Sequence, residues 1–284
     1  MYVVVVGAGE VGVYITRLLT DPKHQLKDME VAVIDLDSKR LDQIQTEVNA
    51  NLIVGSGSHP SVLLEAEINR ADLLVAVTSN DEVNLIASLY ARNQGVSKTI
   101  VRIEAPEIKA EYDNADFFLG PLGPNLVFDP DEDTAKEIAE LLGAWGAEEL
   151  ALLCEGEVAI MGVTLSEDAD FCGQTLSAIG DQNEPEWSFL VAALQRDGET
   201  VIPRSDETLL AGDRLWLVIL KSERSNVLES LGFKKKKHRR VLLLGGGRTA
   251  EFLAKELVDM RFREVTLIEQ NEDRAAKLAT RLDG

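Results

Sequence analysis

One pattern occurs twice in this chain and restricts its fold more than any other feature. Near the N-terminus the run Tyr2–Val6 leads into Gly7-Ala8-Gly9-Glu10-Val11-Gly12, and a second apolar run ends at Val33-Ile34-Asp35. Near the C-terminus Val241–Leu244 leads into Gly245-Gly246-Gly247-Arg248-Thr249-Ala250, and a second run ends at Leu267-Ile268-Glu269. A short, continuous β-branched run marks a strand buried on both faces, as in a parallel sheet. Behind the first turn, Val11, Ile15, Leu18 and Leu19 recur at helical spacing. Each copy therefore reads as strand, glycine turn, helix, strand, the unit that joins two parallel strands. From Gly12 to Asp35 is 23 residues and from Ala250 to Glu269 is 19, the surplus falling in a loop around Asp21–Asp28. Internal duplication of this kind is more specific than either glycine motif alone.

The alternation continues between the copies. Strands are expected at Val31–Ile34, Leu52–Val54, Leu73–Val77 and Thr99–Ile103, with helices at Val62–Glu67 and Val83–Arg92 between them. A βαβ series predicts an α/β domain, a Rossmann-like doubly wound parallel sheet. The Pro/Gly-rich stretch Gly120–Pro130 leads to an amphipathic helix at Thr134–Leu142. From about Leu150 short strands at Val158–Val163, Val191–Gln195, Val201–Ile202 and Arg214–Leu220 alternate with turns at Asp197-Gly198 and Ala211-Gly212-Asp213. They predict a small α+β domain. The basic run Lys234–Arg240 reads as a linker to the second copy. The expected division is 1–147, 148–232 and 233–284, the last being a linker and the start of a second Rossmann-like domain.

Composition narrows the function classes. Of 284 residues, 49 are acidic and 29 basic, a net charge of −20. Nucleic-acid affinity rests mainly on Lys and Arg neutralising phosphates, so this field argues against a DNA-binding repressor. The charge is uneven, because residues 234–284 hold 13 basic and 8 acidic side chains. No apolar run approaches the roughly 20 residues that span a bilayer, and Met1 leads straight into strand sequence without a signal-peptide pattern. Cys154 and Cys172 are too few for a disulfide framework, and with His24, His59 and His238 they form no metal-ligand spacing. A cytoplasmic protein with no metal site is expected.

The first glycine turn carries the chemistry. Gly7 permits the tight turn, Gly9 admits a pyrophosphate to the backbone, and Gly12 lets helix and strand pack closely. The helix N-terminus beginning at Glu10 and Val11 offers unpaired N–H groups. Asp35, at the end of the second strand, is placed to accept hydrogen bonds from both ribose hydroxyls, and its charge repels a 2′-phosphate. NAD(H) is therefore expected in preference to its 2′-phosphorylated form. Gly55 and Ser56 end the third strand and Thr78 the fourth, at the carboxyl edge where such ligands lie. Asn80, Asp81 and Glu82 cap the following helix, a role compatible with ligand contact. His24 reads as a surface residue, His59 as a residue preceding Pro60 at a helix start, and His238 as part of the basic run. No Ser/His/Asp group and no Lys/Tyr pair stands beside the motif, so no catalytic residue is assigned.

These residues resemble the Trk potassium uptake regulatory proteins of the TrkA type, built from domains that regulate conductance of K+ (RCK domains). The resemblance is carried by Val3–Gly12, Val33-Ile34-Asp35-x-Asp37, Gly55-Ser56-Gly57-Ser58-His59-Pro60, Ala71–Thr78 and Asp81-Glu82-x-Asn84. Ile202-Pro203-Arg204 and Ala211–Leu215 carry it into the small domain. It implies a cytosolic regulatory subunit, peripheral to the membrane and not an enzyme, that binds NAD(H) or ATP/ADP and gates K+ flux. Its partners would be a membrane K+ transporter or channel subunit and further copies of itself. It adds Ala8, Leu36, Asp37, Arg40 and Arg102 to the cofactor residues, and Gly245, Gly247, Arg248 and Glu269 as a second site. By the same resemblance the helix Thr134–Leu142 is a crossover between paired domains, predicting a homodimer held by Ile138, Leu141 and Leu142. Relatives that sense ATP place Arg after the second glycine, where this chain has Glu10. The competing class is an NAD-dependent dehydrogenase with a small substrate domain, which explains the turn but not its duplication.

Overall fold

In the computed structural model, which describes residues 1–21, 29–113, 123–183, 189–233, 240–262 and 264–282, the chain forms two compact units, Met1–Pro130 and Asp131–Gly284. His24, His238 and most of the basic run lie outside the described residues, as does part of the Gly120–Pro130 stretch.

The first unit is a parallel sheet of β1 (Tyr2–Val6), β2 (Glu30–Asp35), β3 (Asn51–Val54), β4 (Leu73–Ala76), β5 (Lys98–Arg102) and β6 (Leu126–Phe128), in the order β3-β2-β1-β4-β5-β6. The order reverses beside β1, a switch point between β1 and β4 that opens a crevice at the carboxyl ends. The connecting helices are α1 (Glu10–Thr20), α2 (Ser38–Ile44), α3 (Pro60–Glu65), α4 (Asp81–Asn93) and α5 (Pro106–Asp113). Alternate side chains of β1 feed two cores: Val4 and Val6 pack with Ile34 and Leu74, while Val3 and Val5 pack with Val31, Val33 and Leu41. This double burial explains the unbroken apolar run.

β6 lay hidden in a Pro/Gly-rich stretch, because three residues carry no usable periodicity. The next helix, α6 (Pro130–Gly143), starts four residues before its expected boundary. Asp131, Glu132 and Asp133 fill its first turn, where acidic side chains favour the helix dipole.

The second unit contains an antiparallel sheet in the order β10-β9-β11-β8-β7, made of β7 (Glu149–Leu153), β8 (Val158–Thr164), β9 (Phe189–Arg196), β10 (Glu199–Val201) and β11 (Arg214–Leu220). Helices α7 (Leu176–Asn183) and α8 (Arg224–Ser230) accompany it, and Met161, Leu194, Leu215, Leu217 and Leu228 fill the core. The Ala211-Gly212-Asp213 turn is held by Asp213, whose buried carboxylate accepts from Arg196 Nε at 2.8 Å, Arg196 Nη2 at 2.7 Å and the Leu210 amide at 2.7 Å. Burial raises the pKa of that carboxyl, but the Arg196 and amide hydrogen bonds outweigh it and hold it below its ordinary value.

The same unit holds the second copy, β12 (Arg240–Leu244), α9 (Arg248–Asp259), β13 (Glu264–Ile268) and α10 (Glu272–Arg281), with β12 and β13 parallel. Ala135 and Ala139 of α6 are buried against Leu253 and Leu257 of α9, with Leu142 partly buried beside them. Ile138 and Leu141, expected to hold a homodimer, are each 36% exposed.

Candidate functional site

β1 delivers Gly7 to the switch point with φ +108°, a backbone conformation that favours glycine. Its amide donates to the Ile34 carbonyl at 2.7 Å, fixing the turn to β2. Gly9 is the N-cap of α1 without any side-chain cap, so the first amides of the helix stay available. A Cβ on Gly9 would meet nothing within 4 Å, whereas one on Gly12 would lie 1.8 Å from the Gly7 oxygen. Gly9 thus leaves the space above the turn open, and Gly12 brings the helix onto it.

Asp35 closes this turn from below. Its Oδ2 accepts from the Ala8 amide at 2.6 Å and its Oδ1 from the Asp37 amide at 2.8 Å. A carboxylate has about four acceptor sites, so two remain for further donors. Asp37 caps α2 by accepting from the Lys39 amide and lies 3.8 Å from Arg40. Just after β3, the Gly55 amide donates to the Asp35 carbonyl at 2.9 Å, and the Ser56 and Ser58 hydroxyls lie 2.8 Å apart.

The far side of the crevice is organised by Asn84, a fully buried residue of α4. Its Oδ1 accepts from the Thr78 amide at 3.0 Å and hydroxyl at 2.7 Å, and its Nδ2 donates to the carbonyls of Thr78 at 3.0 Å and Arg102 at 2.9 Å. One side chain therefore ties the ends of β4 and β5 together. Arg102 is paired with Glu104, and the amides of Glu104 and Ala105 donate to Asp81.

Together these groups line a cleft of about 370 Å³. Gly7, Gly9, Asp35, Leu36, Asp37, Arg40, Gly55, Ser56, Thr78 and Arg102 all face it. The other expected residues lie around it. Ala8 holds Asp35, and Gly12 packs beneath the turn. Val11 joins the core, and Glu10 is exposed at the helix start. Asp81 holds the loop after β5, and Glu82 is exposed. Asn80, read as a cap compatible with ligand contact, lines the cleft as well, and so do Gly57, Ser79 and Val83, which were not anticipated there. Their signal was the strand order, which no single motif contains. Asn80 and Val83 belong to one cap, the Asn80 Oδ1 accepting from the Val83 amide at 2.8 Å.

The second copy repeats the arrangement bond for bond. Gly245 has φ +96° and donates to the Ile268 carbonyl at 2.8 Å. Glu269 accepts from the Gly246 amide at 2.8 Å and the Asn271 amide at 2.7 Å, as Asp35 does from Ala8 and Asp37. Those amides, with the nearby Arg274, hold the Glu269 carboxyl below its ordinary value against some desolvation. Gly247 caps α9 by its backbone alone, and Arg248 follows it. Among the described residues no His, Cys, Asp and Glu cluster could hold a metal ion, and no helix is long and apolar enough to cross a membrane.

The strand order, the glycine turn at the switch point and the acidic end of β2 define a Rossmann-type dinucleotide fold. Comparison with known proteins narrows this. The TrkA-N domain family matches residues 3–117 and the TrkA-C domain family residues 160–232. Residues 228–284 match the shikimate / quinate 5-dehydrogenase family. A Trk system potassium uptake protein TrkA homolog from Archaeoglobus fulgidus is 34% identical over all of this chain and 61% of its own length. A trkA homolog 1 from Methanosarcina mazei is 30% identical over all of this chain and 68% of its own. The chain belongs to the Trk system potassium uptake protein TrkA family. It spans about 60% of the length of most of the curated relatives it matches. The fold is also that of the GsuK RCK domain, with a TM-score of 0.64 at 16% identity over 95% of this chain and 56% of that one. The GsuK channel bound to NAD gives a TM-score of 0.65 at 17% identity, over 95% of this chain and 46% of that one.

Proposed function

We propose that the chain is a nucleotide-binding regulatory part of a K+ uptake system, reading NAD(H) in the first cleft and acting on a membrane transporter or channel from its cytoplasmic face. The observation that carries this is Asp35, held by two backbone amides at the edge of the cleft with acceptor capacity left over. Bound there, the dinucleotide would lay its diphosphate against the Gly7–Gly9 turn and its adenine ribose against Asp35. Arg40 and Arg102, at opposite ends, would supply the positive charge, with Thr78 and Ser56 as hydroxyl contacts. The names of the relatives supply the K+ context, and the NAD-bound GsuK channel shares the fold.

Regulation needs two arrangements with different nucleotide affinity, because equal affinity shifts no population. Glu10, exposed at the start of α1 beside the turn, would tolerate a diphosphate and repel a terminal γ-phosphate, so ATP would be a weaker ligand of the first cleft than NAD(H). Three parts, 1–147, 148–232 and 233–284, would carry these tasks, assembled as a homodimer or larger ring.

The dehydrogenase reading has the match of residues 228–284 in its favour. That segment is the second strand–turn–helix–strand copy, a unit shared by many dinucleotide folds. The residues lining the first cleft include no His, Lys, Tyr or Cys to move a proton. Nucleotide carried through purification, identified by mass spectrometry, followed by a turnover screen with NAD+ and small hydroxy acids, separates the readings. Retained NAD(H) without turnover is expected. Steady oxidation of a hydroxy acid would replace the regulatory reading with the enzymatic one.

A further inference from the structure

The acidic first turn of α6 reaches the second glycine turn. Asp131 accepts a hydrogen bond from the Thr249 hydroxyl and lies 3.4 Å from Arg248 Nε, at the first two positions of α9. A helix N-terminus carries unpaired N–H groups and positive partial charge, and attracts an anion. In the second copy a carboxylate of the chain itself stands at this end, held by the Thr249 and Arg248 side chains.

The surroundings mark what else the turn attracts. A concavity of about 270 Å³ is lined by the basic residues Arg248, Arg274, Lys277 and Arg281, with Gly246, Gly247, Leu278 and one acid, Glu251. Arg274 lies 3.5 Å from Glu269, and Arg281 lies 3.4 Å from Glu251. Those two acids belong to the copy. Asp131 comes from another element, 118 residues back in the chain. Glu269 meanwhile keeps the same two-amide arrangement as Asp35, with the same acceptor capacity to spare.

We propose that Asp131 competes with a phosphate-bearing nucleotide for Arg248 and the second glycine turn, so that filling this turn frees the N-terminal end of α6. The proposal rests on the nucleotide-binding reading above and extends it to the second copy. Its ligand class is a nucleoside di- or triphosphate, because Arg248 stands where Glu10 stands in the first copy and a terminal phosphate meets attraction there. Release at Asp131 has a short route back. Phe128 lies three residues earlier, and its carbonyl accepts from the Ile103 amide at 3.0 Å, beside Arg102 of the first cleft. Coupling of this kind is reciprocal, so NAD(H) in the first cleft would also tune affinity at the second.

The test uses the intact chain with NADH at saturation, titrated with ADP by calorimetry, and hydrogen exchange followed at residues 135–139. Asp131→Asn should bind ADP about two- to five-fold more tightly, the size expected of a half-exposed ion pair. It should also speed exchange in α6 without ADP, while ADP should do so in the parent chain. Arg248→Ala should weaken ADP binding. If Asp131→Asn binds ADP like the parent while Arg248→Ala weakens it, the site stands and the competition is wrong. If neither variant changes ADP binding, the second turn takes no such nucleotide, and the reading beneath the proposal falls with it there.

Discussion

The two copies of the glycine turn differ in what surrounds them far more than in their own geometry. In both, a glycine with positive φ ends a strand, and an acid at the next strand end accepts from one amide in the turn and one beyond it. In the first copy Val4 and Ile34 are fully buried, because six strands and their helices cover both faces of the sheet. In the second, Leu244 is 77% exposed and Ile268 51%, on a pair of strands covered on one side. Local sequence therefore sets the turn, whereas burial is set by how many neighbours the sheet supplies. Charge separates the copies as well, since Glu10 in one is matched by Arg248 in the other.

The largest expected effect breaks the likeness at the third glycine. A methyl group on Gly12 would lie 1.8 Å from the Gly7 oxygen, while the second copy already carries Ala250 at the equivalent position. Gly12→Ala should cost about 3 kcal/mol of stability through backbone displacement and abolish NADH binding. Ala250→Gly should cost only the helix-propensity difference of about 1 kcal/mol. Urea unfolding of both variants, with NADH titration, checks the contrast; similar losses would mean that the two helices approach their turns equally closely.

A smaller effect sharpens the charge difference. Glu10→Arg makes the first turn resemble the second, and should move the ATP-to-NADH affinity ratio several-fold towards ATP, a change of about 1 kcal/mol. Competition titrations with the two nucleotides measure it. An unmoved ratio would remove Glu10 from the account of nucleotide choice and leave the cleft itself intact.

The smallest is a pH effect on the second turn. The amides of Asn271 and Gly246 hold the Glu269 carboxyl below its ordinary value of 4.5. A carboxylate depressed in the folded state stabilises it fully above the unfolded value, and that contribution is lost as pH falls through the lower, folded value. The Gly246 amide resonance, followed by NMR from pH 6 downward, should titrate with a midpoint below 4.5. A midpoint at or above 4.5 would show that the turn does not hold the carboxylate.

Much of this was legible in the sequence, because each copy writes its turn, helix and acid within about thirty residues. The first five strands of the first unit, Asp35, the Gly55-Ser56 turn and Thr78 followed from runs and punctuation. Three features did not. β6 is too short to show a period, and β7 was not picked out although Gly143 and Gly146 punctuate the chain before it. Asn84 reads as one more residue of an amphipathic helix. Its role in binding the ends of β4 and β5 exists only once the order β1-β4-β5 places Thr78 beside Arg102. The α6 helix was legible, but its partner was not: helical spacing gives an apolar face and says nothing of what covers it. Ala135 and Ala139 meet α9, and the larger Ile138 and Leu141 stay half-exposed.

The central claim is that the first copy reads a dinucleotide through Asp35, and it is tested most directly by titrating the intact chain with NADH and NADPH. NADH should bind at least about tenfold more tightly, a difference of about 1.4 kcal/mol, because the Asp35 carboxylate accepts ribose hydroxyls and repels a 2′-phosphate. Asp35→Ala should erase that preference and cost NADH on the order of 1.5–3 kcal/mol, as for hydrogen bonds to a charged group. Equal affinities for the two cofactors in the unaltered chain would contradict the assignment.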